Sequence, residues 1–139
     1  AQMTPESIRK EVASINESLK NGKEVAQVPA YLQTLFRPSV QPYLISWYKY
    51  NPQTVIASLK MPILILQGKK DIQVQEEEAA RLKKASPQAE LILIDKMNHV
   101  LKDCESINPQ QQMAVYNNPS LPVNAALINA IAEFIKKNK

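Results

Sequence analysis

The chain has 139 residues, 45% of them hydrophobic and 22% charged, which fits one domain or part of a larger one with a real core. Its net charge of +4 is mild, with Lys136, Lys137 and Lys139 clustered at the end, and without an arginine-rich run it argues against nucleic acid as a partner. No apolar run is long enough to span a membrane, no signal peptide is visible, and a single cysteine, Cys104, excludes an internal disulfide while leaving the compartment open.

The first element is a helix over "TPESIRKEVASINESLKNG". Thr4 is a good N-cap, Pro5 suits the first helical position, and Asn21-Gly22 ends the element. Ile8, Val12, Ile15 and Leu19 recur on one face. Residues 29 to 52 are interrupted by Pro29, Pro38, Pro42 and Pro52 and read as short helices between proline stops. Tyr31, Phe36, Tyr43, Trp47, Tyr48 and Tyr50 fall in this stretch. As core they would give the short helices something to bury. As a pocket they would receive an acyl or alcohol group, with Tyr43 and Trp47 as its candidates. "NPQTVIASLK" reads as one more short helix, capped by Asn51.

The pattern then changes. "ILIL" at 63–66 and "LILI" at 91–94 are continuous apolar runs, as expected of parallel strands buried on both faces. "QEEEAARLKKASP" between them reads as a helix, with acids in its first turn and lysines in its last, as the helix dipole favours. Strand, helix, strand makes a βαβ unit. Residues 103 to 122 are polar and proline-dotted and read as a loop or irregular insertion. Val123, Ala126, Leu127, Ala130, Ile131, Phe134 and Ile135 form the apolar stripe of a final helix.

Functional side chains in open α/β sheets gather at the carboxyl ends of the strands. Asp71 follows the first strand and His99, the only histidine, follows the second. A βαβ unit puts both strand ends on one edge, so the two side chains can meet. A carboxylate beside an imidazole orients it and stabilises its charged form, which a general base needs. Taken alone, Asp71 reads as a turn former, His99 as a structural residue, and Asn98 as a turn residue or a shaper of the histidine loop. One histidine and one cysteine cannot supply a usual transition-metal site, and no cofactor is expected.

"MPILILQGKKDIQV" followed by "AELILIDKMNHVLKD" resembles the C-terminal part of the α/β-hydrolase fold. In that family a P-x-L-x-x-x-G-x-x-D segment carries the triad acid. A histidine follows the next strand, and an amphipathic helix closes the chain. The resemblance covers residues 60 to 103 and the last helix. It implies a fold of class α/β, with residues 60–139 as the C-terminal βαβα core portion and residues 1–59 as a helical cap-like segment. It further implies Asp71 as acid, His99 as base, a small ester-like substrate, and a pocket that includes Val74 and Val100 beside Tyr43 and Trp47.

One departure shapes the expectation. The family's nucleophile sits in a G-x-S-x-G elbow and precedes the acid. The serines before Asp71 are Ser7, Ser14, Ser18, Ser39, Ser46 and Ser58, and none has the small flanking residues of that turn. Gly22 and Gly68 are the only glycines, and Cys104 comes after the histidine. The chain therefore reads as the C-terminal fragment of a serine esterase, contributing acid and histidine but no nucleophile and inactive alone. Self-association, or pairing with the missing N-terminal segment, is expected to cover its open strand edge. Other α/β-hydrolase chemistry (peptidase, thioesterase, acyltransferase, dehalogenase) and a non-catalytic interaction module are the alternatives.

Overall fold

A computed structural model describes residues 5–139. The chain divides into two compact units, one ending at Asn51 and the other spanning Pro52–Lys139.

In the first unit, α1 runs over Glu6–Lys20. The expected Thr4 cap lies outside the described residues. Gly22 takes the left-handed φ of 73°, and Gly22 N–H and Lys23 N–H bond back to the carbonyls of Leu19 and Ser18. These two bonds satisfy carbonyls the helix leaves open, and glycine allows the turn without a Cβ clash. A 3-10 turn at Ala30–Leu32, α2 at Gln33–Phe36, a second 3-10 turn at Pro38–Val40 and α3 at Gln41–Tyr48 follow. Ile15, Leu19, Val28, Leu32 and Phe36 form the core, with Ile8 and Val12 packed on it. Gln41 is fully buried. Its side chain accepts from Val25 N–H at 2.7 Å and donates to the carbonyls of Val25 and Phe36 at 2.8 Å, so the connector is held by polar bonds as well as packing.

The aromatic stretch does not form that core. Phe36 is buried, but Tyr31, Tyr43, Trp47, Tyr48 and Tyr50 are exposed. Proline breaks keep the helices at one or two turns, and Ile15 and Leu19 of α1, with Val28, Leu32 and Phe36, already fill the centre.

In the second unit, α4 (Pro52–Ser58) precedes β1 (Leu64–Gly68), α5 (Glu76–Ala85), β2 (Glu90–Ile94), α6 (Pro109–Tyr116) and α7 (Ala125–Lys137). The strands are parallel, in register from Leu64 opposite Glu90 to Gly68 opposite Ile94. Successive strand side chains point to opposite faces. Ile65 and Leu91 pack with Ala79 and Leu82 of α5 and Ile56 of α4. Leu66, Ile92 and Ile94 pack with Leu127 of α7. Helices on both faces explain why both strands read as unbroken apolar runs. Burial is less complete than the runs predict, because Leu93 stays 39% exposed.

The fold is thus mixed α/β with a small parallel sheet. Where 103 to 122 read as a loop, the structure has α6. Asn108 caps it, accepting from Gln110 N–H and Gln111 N–H, and Pro109 opens it. The helix has no apolar stripe, so periodicity gave no sign of it. Among the described residues no helix is long and apolar enough to cross a membrane.

Candidate active site

The end of β1 builds the first half of the site. Gly68 lies so close to the histidine loop that a Cβ there would meet the Met97 carbonyl oxygen at 2.1 Å. Only glycine permits this approach. It lets Lys69 N–H bond the Ile94 carbonyl at 2.9 Å and Lys70 N–H bond the Met97 carbonyl at 3.0 Å, so two bonds tie the chain leaving β1 to the chain leaving β2.

Asp71 comes next. Its Oδ1 accepts from Gln73 N–H at 2.8 Å and Val74 N–H at 2.9 Å, closing the turn around the carboxylate. Its Oδ2 lies 3.0 Å from His99 Nδ1. One oxygen thus serves the turn and the other the imidazole. The Asp71 side chain is 9% exposed and that of His99 39%. Burial pushes the Asp71 carboxyl upward, but the bonds from Val74, Gln73 and the His99 ring together outweigh it and hold it below the ordinary carboxylate value. The carboxylate therefore stays ionised and accepts from the ring. That favours the tautomer with the proton on Nδ1 and leaves Nε2 as the basic atom. Among the described residues Nε2 has no hydrogen-bond partner.

The histidine loop has its own scaffold. Asn98 N–H bonds the Lys102 carbonyl, Lys102 N–H bonds Asn98 Oδ1 at 3.1 Å, and Leu101 N–H returns to the Asn98 carbonyl. Asn98 is 1% exposed, so it is an internal strut of the loop rather than a surface turn residue. Leu101 adopts a left-handed φ of 61°, and its carbonyl accepts from the N–H of Asn124, the N-cap of α7. The start of the last helix and the histidine loop are thereby joined.

Asp71 and His99 are brought together. Val74 belongs to the acid turn through its N–H, and the residue is 38% exposed. Val100 is half-buried beside His99. Tyr43 and Trp47 lie in the first unit, where their rings stack at a tilt with centroids 4.7 Å apart. Ser46 Oγ and Ser58 Oγ each donate to a carbonyl three residues back, Tyr43 and Val55 respectively. No serine of the second unit is hydrogen-bonded to His99 among the described residues. Cys104 is buried, its thiol on the Ser106 carbonyl at 3.3 Å.

Sequence reasoning missed Gly68 as a contact point, and it missed Gln112 and Tyr116 of α6. Gln112 Nε2 bonds the Lys70 carbonyl, and Tyr116 Oη accepts from Gln73 Nε2. The Asn108-Pro109 pair could have announced their helix. Nothing in the sequence announces their target. No protein-family model matches the chain, and neither does any curated protein or solved structure.

Proposed function

We propose that this chain supplies the acid and the histidine of a serine hydrolase acting on carboxylic esters, with the nucleophile provided by a segment outside this sequence. The observation that carries the reading is the Asp71 Oδ2 to His99 Nδ1 bond of 3.0 Å, made between the carboxyl ends of two parallel strands. In the reaction a serine hydroxyl adds to the ester carbonyl as its proton passes to His99 Nε2. Backbone N–H groups of the partner segment hold the oxyanion. The tetrahedral adduct collapses to an acyl-serine, and the imidazolium proton goes to the departing alcohol. Water then repeats the sequence, losing its proton to Nε2 and releasing the acid. Asp71 holds the ring and stabilises its charged form throughout without taking the proton.

Two measurements test this. The chain treated alone with a fluorophosphonate and read by intact mass is expected to take up no label, and to leave a short-chain aryl ester intact. Uptake by any of its own serines would overturn the missing nucleophile. The coding sequence upstream of Ala1 is expected to contain a G-x-S-x-G elbow. A start codon directly before it would favour a non-catalytic module instead, and an aspartate elbow would favour dehalogenase chemistry.

A further inference from the structure

We infer that α6 braces the acid turn and that Gln112 is a positioning residue for the Asp71–His99 pair. The inference rests on the reading of that pair as a working acid and base.

Gln112 is the one buried residue of α6, with none of its surface exposed. Its Nε2 donates to the Lys70 carbonyl at 2.9 Å and to the Ser106 carbonyl at 2.7 Å. Both acceptors are backbone oxygens, so only the amide NH2 can serve them, and the orientation of the group is fixed. Its Oε1 is left buried without a partner. A buried orphan acceptor is costly, but an apolar residue of the same size would strip the Lys70 carbonyl of its donor. What the amide adds is a hold on the peptide that joins Lys70 to Asp71.

That peptide is planar. Its carbonyl end is tied to Gln112, and its amide end is the Asp71 N–H, which returns to the Gly68 carbonyl at 3.2 Å. Fixing the plane fixes the direction in which Asp71 leaves the backbone. One helical turn further along, Tyr116 Oη accepts from Gln73 Nε2 at 3.3 Å, a second tie on the far side of the same turn. The brace is rooted at the other strand. Cys104 N–H bonds the Lys96 carbonyl at 2.7 Å, just ahead of the histidine loop. The segment from Cys104 to Tyr116 therefore runs from the root of the histidine loop to the acid turn. Its inward anchor is a directional amide, so its function is to orient more than to fill space.

The single histidine makes the test direct. Long-range 15N–1H spectra of the 139-residue chain at alkaline pH report which ring nitrogen of His99 carries the proton. The wild-type ring is expected in the Nδ1–H form. Gln112→Met keeps the side chain's length and removes its donors. It is expected to lower the ratio of Nδ1–H to Nε2–H by about two- to fivefold and to speed amide exchange at Asp71, with the signals of β1, β2 and α7 in place. A wild-type ratio in folded Gln112→Met overturns the brace. If that variant does not fold, Tyr116→Phe decides, since it removes one oxygen from a half-buried ring. A smaller fall in the ratio supports the brace, and no change overturns it. A wild-type ring found in the Nε2–H form instead would overturn the acid–base pair itself, so failure of the pair is read from the parent protein and failure of the brace from the variants.

Discussion

Gly68 and Met97 meet with no room for a side chain between them: a methyl on Gly68 would stand 2.1 Å from the Met97 carbonyl oxygen and 2.7 Å from its carbon. Both atoms belong to backbone, so no rotamer change can relieve the clash. Gly68→Ala must push the two strand ends apart and strain the Lys69 and Lys70 bonds across them. A destabilisation of about 1–3 kcal/mol is expected from overpacking of this kind, read as a lower urea midpoint. The Asp71–His99 bond should weaken with it, because both residues hang from the separated segments.

Asp71→Asn separates the two tasks of the carboxylate. An asparagine can keep its oxygen on Gln73 N–H and Val74 N–H, so the turn survives and the stability loss is expected to stay within about 1 kcal/mol. Its amide would then face His99 Nδ1 as a donor. The ring must accept there and carry its proton on Nε2, which removes the basic atom from the open side. Asp71→Ala loses the turn bonds as well and is expected to cost about 1–3 kcal/mol. Ring 15N shifts and denaturation midpoints of the two variants check both statements. If Asp71→Asn left the tautomer unchanged, the carboxylate would not be what orients the ring.

Much of this was legible in the chain, and for identifiable reasons. The ILIL and LILI runs mark β1 and β2 because helices cover both faces of the sheet, and a parallel pair fixes which ends Asp71 and His99 share. Asn21-Gly22 marks the end of α1 because the left-handed turn needs a residue without Cβ. The aromatic stretch misled because size says nothing of direction: Trp47 sits on a two-turn helix, 60% exposed. Gln112 was hidden for another reason. Its amide holds the Ser106 carbonyl and that of Lys70, 42 positions away, and a backbone acceptor leaves no trace in residue identity. Leu101 was equally silent, since a left-handed φ is foreseen only where glycine or asparagine stands.

The depressed Asp71 carboxyl gives a pH dependence of definite sign. The native state binds this proton less readily than the unfolded chain, so in acid the unfolded state takes up more protons and stability rises with pH. The contribution is complete above the ordinary carboxylate value and is lost as pH falls through the lower native value. Urea midpoints of the wild type and Asp71→Asn, compared over a pH series, are expected to converge in acid and separate as pH rises. A constant difference would mean that the carboxylate is not held ionised by its bonds.

Leu101 holds φ at 61°, a region that costs a non-glycine L-residue roughly 1–2 kcal/mol. Its N–H and carbonyl are both committed, to Asn98 and Asn124, so the backbone cannot relax without opening the histidine loop. Leu101→Asn suits the left-handed conformation and is expected to hold or raise the melting temperature. Leu101→Val, with its branched Cβ, is expected to lose about 1–2 kcal/mol more than leucine does. A valine variant as stable as the wild type would show that the loop tolerates another conformation.

The two-stranded sheet and the last helix leave apolar surface in water. Ile128, Ile131 and Ile135 of α7 are 54%, 40% and 53% exposed, and Leu93 of β2 is 39% exposed. The apolar stripe of α7 is only shallowly covered, with Leu127 alone among its residues buried. Apolar patches of this kind draw proteins into association, and a short parallel pair offers backbone edges to another strand. The chain is therefore expected to self-associate as its concentration rises, with a sedimentation coefficient that climbs across the micromolar range. Ile131→Lys with Ile135→Lys should shift that rise to higher concentration without loss of helicity, because both side chains already reach solvent. A monomer at every concentration would sink the expectation, and association that ignores both lysines would sink the α7 contact and leave the strand edges as the surface that associates.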